Sequence, residues 1–178
     1  MNFVQILSRS SQILGSLAVI LKKKLKMESQ IFGKLIETKY DIDWLESEPI
    51  QIPYFNNEKF IITLVEKNSE FILNAENAFK NFLKLNNSDR DKNSELVINY
   101  YEDVLRSGYT EKMILKKQSE IWNFVSPLRI TILNWSEDES FFVCIECSCD
   151  WEKEHGLQLT FKNGEILIKA NAVGDDIE

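Results

Sequence analysis

Hydrophobic and polar positions alternate at both ends of residues 27–178 and follow a helical period between them. From Gln30 to Glu66 the apolar positions are strand-like: Ile31, Leu35, Ile36, Ile42, Trp44, Leu45, Ile50, Ile52, Tyr54, then Phe60 to Val65. Pro49 and Pro53 favour turns or edge positions, and Asn56-Asn57 marks a hairpin tip.

From Ser69 to Val125 the period becomes helical. Ser69 is read as the cap of a helix whose apolar face is Ile72, Ala75, Phe79, Phe82 and Leu83. Asn86 to Asp91 is read as a polar loop. Paired apolar residues at Leu96/Val97, Tyr100/Tyr101 and Val104/Leu105 predict a second helix, stopped by Gly108. Thr110 is read as the cap of a third, carrying Met113, Ile114, Ile121, Trp122 and Val125 and ended by Pro127.

Strands return from Leu128. Ile130 and Ile132 oppose Thr131, Leu133 and Trp135, Ser140 to Cys149 is rich in β-formers, and Gly156 to Lys162 alternates. Asn163-Gly164 predicts a type I′ reversal, because both central residues of that turn need positive φ. The expected fold is α+β: a mostly antiparallel sheet, about three helices inserted in the middle, and a C-terminal β-meander. Residues 27–178 are read as one domain.

Residues 1–26 differ. They hold Arg9, Lys22, Lys23, Lys24 and Lys26 and no acid. Phe3, Ile6, Leu7, Ile13, Leu14, Leu17, Ala18, Leu21 and Leu25 fit an amphipathic helix, which could also touch an anionic membrane surface. The run Ile13–Leu21 is too short to span a bilayer, and the lysines follow it rather than precede it as in a signal peptide. The abrupt change in composition also suits a non-native extension upstream of a start at Met27.

Charge narrows the function classes. The net charge of −7 disfavours nucleic acid and permits a basic protein partner. Cys144, Cys147 and Cys149 are an odd set within one short stretch, which points to a reducing, cytoplasmic setting. No cofactor is expected: nucleotide-loop, zinc-protease, EF-hand and nucleophile-elbow motifs are all absent.

Two constellations carry candidate chemistry. Cys147 and Cys149 share a strand face and, with His155, form a candidate metal set, although Cys-x-Cys is not the usual zinc spacing. Asp150 to Gly156 concentrates Asp150, Glu152, Glu154 and the single histidine, His155. A carboxylate beside an imidazole can raise its pKa and fix its tautomer, so His155, Glu154 and Glu152 are the catalytic candidates. The alternative is a hydrogen-bonded turn anchored by Trp151, with Gly156 freeing the backbone.

The run Cys149-Asp150-Trp151-Glu152-Lys153-Glu154-His155-Gly156-Leu157, followed by the Asn163-Gly164 hairpin, resembles the end of a family of small bacterial proteins of undetermined activity. These carry a Cys-x-Trp-Asp-x-Glu-His-Gly-Leu signature, and Glu152 stands here where Asp is usual. Trp44 and the strand Phe60–Val65 leading into the Ser69 helix are also similar, whereas residues 1–26 lie outside the resemblance. It implies a fold, with Trp151, Glu152, Glu154, His155 and Gly156 as its motif. Acidic proteins of this type are often immunity proteins, so a non-enzymatic protein-binding module that neutralises a basic toxin is the leading expectation. An enzyme or metal protein using the Asp150–His155 loop and a membrane-surface protein held by residues 1–26 are the alternatives.

Overall fold

The computed structural model describes residues 27–134 and 139–175. Strands β1 (Met27–Ser29), β2 (Gly33–Glu37) and β3 (Leu45–Glu46) come first. A side ribbon of β4 (Ile50–Ile52) and β5 (Glu58–Phe60) precedes β6 (Ile62–Leu64). Helices α1 (Ser69–Phe82), α2 (Asn87–Lys92) and α3 (Ser94–Arg106) follow, then a 3-10 turn at Gln118–Phe124. The chain ends on β7 (Val125–Asn134), β8 (Phe141–Cys149), β9 (Glu152–Lys162) and β10 (Ile166–Asn171). Among the described residues the main sheet has eight strands in the order β1-β2-β3-β6-β7-β8-β9-β10.

This sheet is mixed, which corrects the mostly antiparallel one expected. β6 and β7 run parallel, with Ile62, Thr63 and Leu64 opposite Ile130, Thr131 and Ile132. The cause is the insertion between them. The helices return the chain to the end of the sheet from which β6 started, so β7 retraces its direction. Alternation reports which face a residue takes and is blind to strand direction, so the sequence could not show this.

The helix inventory is corrected too. No α-helix forms between Thr110 and Val125: residues 111–115 have no regular structure, Ile114 is exposed, and Val125 opens β7. The apolar pairs at 113/114 and 121/122 are separated by Lys116, Lys117 and Gln118 where a helical stripe needs an apolar position. Pro127 lies in β7, where the register with β8 shifts. The segment read as a loop is instead α2, closed by a capping box between Asn86 and Asp89. Asn68, one residue before the expected Ser69, caps α1 by accepting from the Phe71 N–H at 2.7 Å. The expected N-terminal helix lies outside the described residues.

The helices cover one face of the sheet: α1 packs on β7 and β8, and α3 on β10. Val143, Ile145 and Cys147 of β8 and Leu157, Leu159 and Phe161 of β9 are buried in the common core. Tyr54 stands among Phe82, Phe161 and Trp122 at ring distances of 5.7, 5.3 and 6.0 Å, tying the side ribbon, α1, β9 and the 3-10 turn together. Asn163 and Gly164 have φ of 50° and 71°, as the β9–β10 reversal requires.

Candidate functional site

The β8–β9 connection is shorter than the loop expected, because β9 already begins at Glu152. Cys147 pairs with Leu157 and Cys149 with Glu152, so two steps along β8 match five along β9 and residues 153–156 bulge. Gly156, with φ of 72°, lets the bulge close: a Cβ there would stand 2.5 Å from the Cys147 carbonyl oxygen.

The motif side chains have separate duties. Trp151 is buried against Tyr101 and Tyr100 of α3, at ring distances of 5.9 and 6.4 Å. Its buried Nε1 has no hydrogen-bond partner among the described residues. The Tyr100 hydroxyl donates to the Gly156 carbonyl oxygen at 2.9 Å. Glu152 Oε1 accepts the N–H groups of Glu154 and His155 at 2.8 and 3.2 Å, which fixes the bulge. Those bonds, the one from Glu154 foremost, hold the Glu152 carboxyl below the usual glutamate range.

His155 Nδ1 stands 3.8 Å from Glu152 Oε1, a long contact, and its side chain is 61% exposed. The expected acid–imidazole pair is thus a carboxylate engaged with backbone beside a solvated ring. Asp150 and Glu154 line the same depression as Ser148 and Cys149, whose side chains donate to the backbone carbonyls of Ser126 and Glu152 rather than to either carboxylate. Cys147 and Cys149 face the core, while Cys144 lies on the opposite face of β8. Burial pushes the Cys144 and Cys149 thiols up to about 11 and that of Cys147 further, so none supplies a thiolate at neutral pH. Among the described residues, no three His, Cys, Asp or Glu side chains gather as a metal site.

A second location was not read from the sequence. Where α1 passes the end of β7, the start of β8 and the tip of the β9–β10 hairpin, it leaves a groove of about 760 Å³. Glu66, Glu70, Glu139 and Glu165 line it together with Asn74 and Asn77, with no lysine or arginine among the described lining. None of these four carboxylates has an ion-pair partner among the described residues, whereas Glu37, Asp43, Glu76, Asp89, Asp103 and Glu146 each have one. Asn163 Oδ1 accepts the Phe141 N–H at 3.1 Å, and Asn81 Nδ2 donates to the Asn163 carbonyl oxygen at 3.3 Å, so the hairpin tip and helix form one wall. The missed signal was Asn74, Asn77 and Asn81 at helical spacing on the polar side of α1. A concavity elsewhere, bounded by Trp44, Glu46, Lys59 and Arg129, carries both signs of charge.

A family model described as a domain of unknown function (DUF6985) matches residues 32–176. No protein of curated function and no solved structure matches the chain.

Proposed function

The chain belongs to the DUF6985 family, a domain of unknown function, and on that premise we propose that it is a non-enzymatic protein-binding module for a basic partner. The observation that carries this reading is the groove beside α1, where four carboxylates with no ion-pair partner among the described residues stand among carboxamides. Such a surface raises the local concentration of a cationic protein and rewards lysine or arginine side chains that enter it. The asparagines offer both a donor and an acceptor, as a partner backbone needs. No active centre is required for that work.

Within this reading the chain is a cytoplasmic immunity protein that masks a basic toxin. The acidic balance and the cysteines kept as thiols by burial support it. An enzyme or metal site at Asp150–His155 is the weaker reading, because the Glu152 carboxylate holds backbone and His155 faces solvent. Co-expression with a basic toxin encoded beside this chain tests the proposal. Wild type restores growth, and Glu70→Lys with Glu165→Lys does not while remaining folded. Equal rescue by both removes the groove from the interface, and no rescue by folded wild type removes the immunity role.

A further inference from the structure

The chain between α3 and the 3-10 turn carries the two most exposed large apolar side chains among the described residues, Tyr109 at 84% and Ile114 at 92%. Ile114 belongs to Lys112-Met113-Ile114-Leu115-Lys116-Lys117, a stretch with three lysines and no acid. Burial alternates along it: Met113 and Leu115 pack against the core, while Lys112, Ile114 and Lys116 are exposed. That is the pattern of an extended strand. Among the described residues no backbone–backbone hydrogen bond reaches residues 111–116, so the strand has no sheet. Two side chains hold it instead. The Tyr101 hydroxyl accepts the Met113 N–H at 2.7 Å, and Glu120 Oε2 accepts the Lys116 N–H at 2.8 Å. The segment is thus fixed with Ile114 turned to solvent.

Lys112, Lys116 and Lys117 have no ion-pair partner among the described residues, and Glu111 is the one acid that adjoins the stretch in sequence. The groove beside α1 is its counterpart in charge, with four glutamates and no lysine or arginine in the described lining. The lengths match as well. From Glu70 to Asn81 α1 runs about 17 Å, and six extended residues also span about 17 Å. Asn74 and Asn77 offer carboxamide donors and acceptors to a backbone that lacks a sheet. Pairing the segment with the same segment of another copy would instead set lysines against lysines, which is unfavourable.

We infer that residues 112–117 of one copy dock in the α1 groove of a second copy, lysines toward the glutamates and Ile114 toward the Phe71 and Phe141 rings of its lining. This rests on the reading of the groove as a seat for basic segments and names its occupant when no other basic partner is present. The contact joins two different surfaces, so it is heterologous. Docking covers the groove, and a basic partner must displace the segment before it binds.

Analytical ultracentrifugation of the full chain tests this. The average mass of wild type should rise above the 20.8 kDa of one chain as concentration increases, and should fall back as salt is added. Lys112→Ser with Ile114→Ser and Lys116→Ser, all at exposed positions, should abolish the rise while the variant stays folded. Glu70→Gln with Glu165→Gln should abolish it too. The two variants mixed should form a complex of one copy of each, because one keeps an intact groove and the other an intact segment. Wild type that stays monomeric at every concentration, a segment variant that associates like wild type, or a mixture that stays monomeric overturns the docking. Sedimentation with phosphatidylserine-containing vesicles is the other arm. Wild type should stay in solution; binding that the Ile114 change abolishes would assign the segment to a lipid surface and overturn the proposal. Monomeric wild type that still neutralises a basic toxin removes the self-docking alone, whereas association without neutralisation leaves the docking and removes the immunity role.

Discussion

Gly164 rests on the backbone of α1: a Cβ there would stand 1.9 Å from the Ala78 carbonyl oxygen. Gly164→Ala would therefore meet both a positive φ and rigid helix backbone, and should cost more than about 2 kcal/mol in urea unfolding. The bulge motif separates into structural and solvent-facing members in the same assay. Trp151→Ala, which empties a buried site between two tyrosines, should cost about 3–5 kcal/mol. His155→Ala should stay within about 0.5 kcal/mol, because the ring is mostly solvated. A large loss at His155 would return that residue to the list of working groups. The sequence made this set visible as one cluster of polar side chains around a tryptophan. It could not divide the cluster, because burial of Trp151 depends on α3, which lies some fifty residues upstream.

The bulge joining β8 to β9 is held by the Glu152 carboxylate as well as by the Tyr100 hydroxyl, so part of its strength depends on pH. Glu152 titrates lower in the folded chain than the ordinary value of 4.5, chiefly because it accepts the Glu154 N–H. A depressed carboxyl pKa contributes stability that is fully present above the unfolded value and is lost as pH falls through the folded one. Glu152→Gln should thus be less stable than wild type at neutral pH, and the gap should narrow below about pH 4.5, as urea midpoints across pH 3–7 would show. A constant gap would remove the carboxylate's charge from the account. Elements were legible from the sequence where a local pattern decides them: the Asn163-Gly164 hairpin, the apolar faces of α1 and α3, and the stop at Gly108. They were illegible where long-range contacts decide them. Thr110 to Val125 has helix-capable residues, but the Met113 N–H is taken by the Tyr101 hydroxyl at 2.7 Å, and Ile121 and Trp122 are buried in the core through a 3-10 turn. The β6–β7 pairing was likewise hidden, since its direction is set by about sixty intervening residues rather than by either strand.

For the whole molecule, the excess of acid is unevenly placed, and that placement makes the binding proposal testable by salt. Part of the described surface charge is neutralised nearby: Lys67 meets Glu37 and Asp43, Lys80 meets Glu76, and Arg129 meets Glu146 across β7 and β8. The groove carboxylates lack such partners among the described residues, and no lysine or arginine is in the described lining, so the local potential there is more negative than composition alone would suggest. At the ionic strength of a cell the field reaches only about 8 Å, which is enough to fill the groove and little beyond it. Affinity for a basic partner should then weaken as salt rises, mainly through slower association. Glu70→Gln with Glu165→Gln should flatten that dependence, while Glu37→Gln with Asp43→Asn, which removes acids already paired, should leave the slope as it is. Stopped-flow association rates across a salt series read this directly. Equal flattening by both pairs would mean that total charge steers the partner and that the groove has no special part in it.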